Sequence, residues 1–369
     1  MNEDMKKIKF RLKVLLLLFM LFVEFFANIS ILNPVVKAST TNNAIDSFYI
    51  SEDNYENDMK SIVEPYIGER MESGYFNGDE DVKLYYEKYK AENAKGNIVI
   101  SHGYTESLEK YHEIIYYFLK NGYNVFGIEH RGHGRSGTLG IADKTQIDVK
   151  NFDQYVTDFK SFMDEIVIPN KENKKIFLFA HSMGGAIGTK FLEDHPDYFD
   201  DAILNAPMLE VNTGNIPKFL AEIIVNFEVA IGNGGAYVLG KKPYTPEYNK
   251  DKIGTTSLNR YEYIHDIVAD NENLQRGGAS YNWTKQAFTT TEEIVKEENA
   301  SKVEITVLIF QAGHDTYVKA EGQNKFAKAA KDCKIIKLDN SRHEIYLERD
   351  EIQKPYLEEV FEFYDAQLS

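Results

Sequence analysis

A single cysteine, Cys333, stands among 369 residues, so no intramolecular disulfide can form and the fold has to be held by its core. Positive charge is also scarce: 42 Lys and Arg face 58 Asp and Glu, a formal net charge of −16. The first 38 residues run against this trend, with Lys6, Lys7, Lys9, Arg11, Lys13 and Lys37 against Glu3, Asp4 and Glu24, which is +3. The remaining chain therefore carries about −19, the −16 less that +3. A body that acidic is repelled by phosphate backbones, and nucleic acid is excluded as a partner. Long apolar runs are few as well. The run Val14 to Val23 has ten residues and is followed by Glu24, against the ~20 of a spanning helix. With a basic segment ahead and Val36-Lys37-Ala38 behind, it has the order of a cleavable signal peptide, residues 1–38, and implies export. A retained N-terminal membrane anchor is the alternative. No cysteine follows the run, which disfavours a lipoprotein. Beside the apolar pair Ile335-Ile336, Cys333 reads as a small core residue rather than a nucleophile.

What is present is globular in composition, 43 % hydrophobic and 27 % charged, which leaves no room for disorder on a large scale. Residues 39–70 are polar and read as a surface lead-in. Strands then alternate with helices. Val82–Tyr86, Asn97–Ile100, Asn124–Ile128, Lys175–Phe179, Ala202–Leu204, Ile305–Phe310 and Ile335–Leu338 are short apolar strands, and Leu108–Lys120 is helical. Phe152, Tyr155, Val156, Phe159, Phe162, Met163 and Ile166 form one apolar helical stripe, with a capping box at Asn151 and Gln154 and a stop at Pro169. A last amphipathic helix runs from Ile352 to Phe363. This alternation predicts a mostly parallel, doubly wound α/β sheet. It is interrupted at 207–288, a Gly- and Pro-bearing stretch with short helical pieces, expected to form a cap or lid between core segments 71–206 and 289–369.

The strand ending at Phe179 leads into Ala180-His181-Ser182-Met183-Gly184-Gly185 and then a helix. Serine at the apex of a strand–turn–helix is a nucleophile elbow, here with Ala180 where the usual pattern has its first glycine. A serine hydroxyl needs a base, and the base an orienting acid, in the chain order Ser, Asp or Glu, His. Asp315 follows the strand Ile305–Phe310, and His343 follows Ile335–Leu338. Both stand where open α/β sheets assemble their sites, at strand C-termini. His314 precedes the position that order requires. His343-Glu344 has Leu347 where a zinc-binding H-E-x-x-H would need its second histidine. His130 and His133 have no cysteine or third ligand nearby, so no metal is expected. The oxyanion of acyl transfer calls for backbone donors, expected at Tyr104, in the loop Ser101-His102-Gly103-Tyr104, and at Met183.

These pieces, together with Glu129-His130-Arg131-Gly132-His133-Gly134-Arg135-Ser136, Asn205-Ala206-Pro207-Met208, Arg260-Tyr261 and Gly277-Gly278-Ala279-Ser280-Tyr281-Asn282-Trp283, resemble the bacterial lysophospholipase and monoacylglycerol lipase group of S33-like α/β hydrolases. The resemblance runs from about Gly74 to Ala366 and departs at Glu129, where the group often has Asp. It implies an α/β-hydrolase fold with a helical cap. It also implies cleavage of a mono-acylated lipid ester by Ser182, Asp315 and His343 without metal or organic cofactor, and transient contact with a membrane or micelle. The cap residues Phe219, Leu220, Ile223, Ile224, Val225 and Phe227 are candidates for an acyl pocket or a helix core, and Trp283 for a substrate contact or simple packing. A general carboxylesterase, an acyltransferase on the same triad and a non-catalytic binding protein are the competing readings. Chain-length preference, head group and oligomeric state are left open by the sequence.

Overall fold

Strands with no polar face need cover on both sides, and the helices between them supply it. The computed structural model describes residues 48–248 and 253–368; residues 1–38, expected from the sequence to be a signal peptide, lie outside them. Strands β1 (Met71–Asn77) and β2 (Lys83–Tyr89) form an antiparallel hairpin. β3 (Gly96–Ser101), β4 (Tyr123–Ile128), β5 (Ile176–His181), β6 (Asp201–Asn205), β7 (Thr306–Ala312) and β8 (Cys333–Leu338) are parallel to one another. The sheet order is β1-β2-β4-β3-β5-β6-β7-β8, with β2 antiparallel to β4. This is the eight-stranded, mostly parallel sheet of the α/β-hydrolase fold.

Side chains alternate between the faces. Val99, Leu178, Ala180 and Leu204 join one core, whereas Ile98, Ile100, Phe177, Phe179 and Ile203 join the other. Helices α1 (residues 55–68), α2 (His112–Lys120) and α9 (Asp350–Ala366) cover the second face. The first is covered by α3 (Asp153–Phe162) and α4 (Ser182–Asp194). Between β6 and β7 lie α5 (Lys218–Ala230), α6 (Leu258–Asp270) and α7 (Tyr281–Glu293), and α8 (Ala320–Ala329) connects β7 to β8.

Register places the site. Ser101 pairs with Ala180, Ala180 with Leu204, His181 with Asn205, Asn205 with Phe310, and Ala312 with Leu338. The C-terminal ends of β3, β5, β6, β7 and β8 are therefore level, and the loops carrying Tyr104, Ser182, Asp315 and His343 open on one edge.

Several expectations are corrected. The polar lead-in is half helical: Tyr55, Met59, Val63 and Ile67, four apart, are buried in the second core while their neighbours face solvent. No capping box forms before α3. Asn151 Oδ1 accepts from the Asp153 N–H at 3.0 Å, and the Gln154 amide turns to Asp79 instead. After a π turn at Met163–Val167 the helix ends at Asn170, one residue past the expected stop at Pro169. The stretch 207–288 holds 13-residue helices rather than short pieces, and the boundary at 288 falls inside α7. Strand β1 and helix α8 are additional to the elements expected from the sequence, and β1 is an edge strand that buries only Phe76. Cys333 opens β8, half-buried, and burial followed by the Asp332 charge pushes its thiol up to about 12.

A buried charge ties the insertion to the core. Arg260, near the start of α6, is fully buried and donates to Glu113 of α2, to Asp350 and Gln353 of α9, and to the Glu348 carbonyl, all within 2.8–2.9 Å at its closest contacts.

Candidate active site

Strand β5 ends in extended backbone at His181, and α4 begins at once, which forces Ser182 to φ +50°. A non-glycine residue holds that left-handed conformation only when its surroundings over-determine it. Here they do. A methyl group on Gly184 would stand 2.1 Å from the Ser101 carbonyl oxygen, and one on Gly185 would stand 2.6 Å from Pro207 Cβ. Only glycines allow α4 to sit this close to β3 and the β6 loop. A third glycine, Gly188, lets the helix pass Leu178, whose Cδ2 would stand 2.8 Å from an added methyl group, while the Ala180 methyl would lie at an ordinary 3.6 Å.

The Ser182 Oγ lies 2.8 Å from His343 Nε2, and His343 Nδ1 lies 2.7 Å from Asp315 Oδ2. The other oxygen of Asp315 accepts the backbone N–H groups of Tyr317 (2.8 Å) and Val318 (3.0 Å), which fixes the plane of the carboxylate. Burial pushes the Asp315 pKa upward. The hydrogen bond and charge of His343, with those two N–H groups, outweigh it and hold the carboxyl below its ordinary value. The three residues taken from the sequence are thus joined in one hydrogen-bonded line. His314 is exposed on the acid's loop. His130 and His133 are buried elsewhere, against Ser101 Oγ and the Arg131 carbonyl.

A buried hub that sequence reasoning missed holds the loops around this line. Glu106 accepts from the Gly103 N–H (2.6 Å), Lys110 (3.0 Å), Tyr111 (2.7 Å) and Tyr346 (3.1 Å). His181 faces Glu106 with Nδ1 and the His343 carbonyl with Nε2, at 3.2 and 3.1 Å. The Tyr104 loop, the elbow and the histidine loop therefore share one carboxylate. Burial favours its neutral form, but Lys110 first, then His181 and Tyr111, hold it well below the usual carboxylate range. A glutamate three residues past Gly103, buried beside apolar neighbours, carries no composition signal of this role.

Ser182 and His343 open into a cavity of about 570 Å³. Its walls include Tyr104, Met208, Val211, Ile224, Val225, Val238, Trp283 and Phe288. Trp283 packs 4.7 Å from the Tyr104 ring and belongs to the core while also lining the cavity. The α5 run divides: Ile224 and Val225 line the cavity, whereas Phe219, Leu220, Ile223 and Phe227 are neither lining nor core but exposed, at 64, 41, 58 and 59 %. The helix is apolar on both faces, and among the described residues only one has a protein neighbour.

Residues 92–350 match the family described as serine aminopeptidase, S33. The chain belongs to the S33 family of α/β hydrolases. This S33 hydrolase is 28 % identical over 302 residues to lysophospholipase L2 of Escherichia coli, spanning 80 % of the chain and 87 % of that protein. Monoglyceride lipase of Mus musculus is 23 % identical over 270 residues, 72 % of the chain and 81 % of the relative. Among solved structures the S33 hydrolase superposes on a soluble variant of monoglyceride lipase from Saccharomyces cerevisiae, in complex with a substrate analogue. That match has a TM-score of 0.62 and 18 % identity, covering 81 % of this chain and 96 % of the other. A carboxyl esterase from Bacillus coagulans gives 0.63 at 20 % identity, covering 81 and 99 %.

Proposed function

We propose that this carboxylic ester hydrolase cleaves a mono-acylated lipid, a lysophospholipid or a monoacylglycerol, through an acyl-enzyme on Ser182. The observation that carries the reading is the Ser182–His343–Asp315 line at the floor of an apolar cavity of about 570 Å³. That volume suits one flexible hydrocarbon tail. The names of the lysophospholipase and monoglyceride lipase relatives agree with it.

In the proposed mechanism His343 Nε2 takes the proton of Ser182 as Oγ attacks the ester carbonyl. Asp315 keeps the other imidazole proton on Nδ1 and stabilises the cation that forms. The N–H groups of Tyr104 and Met183 receive the oxyanion, the second from the first turn of α4, where the helix supplies no carbonyl of its own. The imidazolium returns its proton to the departing glycerol or glycerophospho oxygen. Water, deprotonated by the same histidine, then releases the fatty acid. Residues 207–288 act as the cap over this cavity, and Trp283 and Tyr104 close its wall. Export through cleavage after Ala38 would bring the enzyme to extracellular lipid, and the exposed apolar side of α5 would touch the surface of a membrane or micelle.

Labelling by a fluorophosphonate, followed by rates on lysophospholipid, monoacylglycerol and nitrophenyl esters of graded length, tests the reading. Ser182→Ala is expected to lose labelling and about 10⁶ in turnover. An unlabelled wild type sinks the enzyme, and faster cleavage of acetyl than of long acyl esters sinks the lipid substrate. N-terminal sequencing of the exported protein is expected to begin at Ser39.

A further inference from the structure

Outside the Ser182 site, ionisable groups from α1, β2 and the start of α2 meet beneath the surface. One carboxylate oxygen each of Glu87 and Glu109 and one ring nitrogen of His112 lie within 4.8 Å of one another. Glu87 is 1 % and His112 6 % exposed. His112 Nδ1 faces both oxygens of Glu64 at 3.0 Å and Glu109 Oε2 at 3.6 Å. Its other nitrogen, Nε2, is buried without a hydrogen-bond partner and points toward Glu87 Oε2, 3.9 Å away. That gap is too long for a hydrogen bond. It leaves room for an ion between the two atoms, bound at about 2.0–2.2 Å with a ligand–ion–ligand angle wider than tetrahedral. Glu64 stands where the carboxylate behind a metal-bound histidine usually stands, accepting from the second ring nitrogen.

Charge points the same way. Arg135 bridges Glu87 (3.1 Å) and Glu109 (3.0 Å) and also pairs with Glu129. With Glu64 on His112, the group holds four carboxylates against the guanidinium of Arg135 and that of Arg276, which acts on Glu129, and even a protonated His112 leaves one negative charge in excess. The remaining neighbours are the neutral hydroxyls of Tyr85 and Tyr89 on Glu87 and of Tyr263 on Glu64.

We propose that His112 Nε2, Glu87 and Glu109 bind one divalent transition-metal cation, with Glu64 orienting the imidazole. The mixed nitrogen and carboxylate donor set suits Zn²⁺ and its neighbours better than Ca²⁺. The ion contacts neither Ser182 nor its cavity. It ties α1 and α2 to β2.

Full-length protein stripped with chelator, then titrated with Zn²⁺ by calorimetry, tests this. One saturable site and a Tm raised by the bound metal are expected. Glu109→Gln, at a partly exposed residue, and Glu87→Gln are each expected to remove that site while Ser182 stays reactive to fluorophosphonate. Equal Zn²⁺ binding in wild type and both variants overturns the proposal, and so does a wild type that binds none. Co²⁺ in place of Zn²⁺ should give visible absorption that both variants lose.

Discussion

Replacing Asp315 by Asn tests the proposed mechanism at its most constrained atom. The native carboxylate has two distinguishable oxygens: Oδ1 accepts two backbone N–H groups and Oδ2 accepts His343 Nδ1–H. An asparagine has one oxygen. Placing its NH₂ against the Tyr317 and Val318 N–H groups would set donor against donor and leave both amides unsatisfied, at about 1–3 kcal/mol each. The oxygen therefore stays with the backbone, and the NH₂ faces His343. To accept it, Nδ1 must give up its proton, which moves to Nε2. Nε2–H then points at Ser182, 2.8 Å away, and cannot take the serine proton. The expected loss in kcat is ~10⁴, or about 5.5 kcal/mol in the barrier at 1.36 kcal/mol per decade. The assay is the initial rate on a nitrophenyl ester, with Tm measured beside it to show that the fold is intact. Nitrogen-15 spectra of the labelled histidine should report Nδ1–H in the wild type and Nε2–H in the variant. A variant that keeps a tenth of the wild-type rate, or whose histidine remains Nδ1-protonated, would refute the forced-orientation argument.

Other expectations rest on separate contacts. Arg260→Met strands the buried carboxylate of Glu113 and should cost about 3–5 kcal/mol, lowering Tm by roughly 10 °C. The double variant with Glu113→Gln should recover part of that loss, and a cost under about 1 kcal/mol in denaturant titration refutes it. Burial first, then the Asp194 charge, raises Glu193 from an ordinary 4.5 to about 8. The native state thus keeps a proton that the unfolded chain releases. This group's contribution is full below pH 4.5 and is lost as pH rises toward 8, at up to ~1.4 kcal/mol per pH unit. Glu193→Gln should be more stable than wild type at pH 8 and equal to it near pH 4.5; a pH-independent difference in Tm argues against this. Phe219→Ser with Phe227→Ser removes two exposed rings, each worth about 1.5–3 kcal/mol when buried in lipid. Vesicle binding should fall at least tenfold with hydrolysis of a soluble ester unchanged, and unaltered co-sedimentation would exclude α5 as the contact.

The parallel strands were legible because burial on both faces leaves no polar position to blur the pattern, and the triad because its order and strand-end positions are fixed by the fold. What stayed hidden was of three kinds. Helix α1 was masked by its own polarity: Tyr55, Met59, Val63 and Ile67 recur every fourth residue, but only a narrow stripe is apolar. Edge strand β1 has too little burial to alternate visibly. Glu106, Arg260 and the Glu87–Glu109–His112 cluster draw on partners up to 240 residues away, and such pairings leave no local spacing to read. The apolar run of α5 was ambiguous for another reason. Hydrophobicity on all sides of a helix says that every side needs a neighbour, not that the neighbour is protein.

The half-buried thiol of Cys333 has a practical consequence. With its pKa near 12, only about one molecule in 10⁵ carries a reactive thiolate at pH 7. Maleimide and iodoacetamide reagents should pass it by. The native chain is thus already a silent background for site-directed labelling: one substitution on the outer side of α5, such as Phe227→Cys, would give a single reactive handle for a fluorophore or spin label. Whether that helix changes depth or orientation when lipid arrives then becomes a spectroscopic measurement on otherwise unaltered protein.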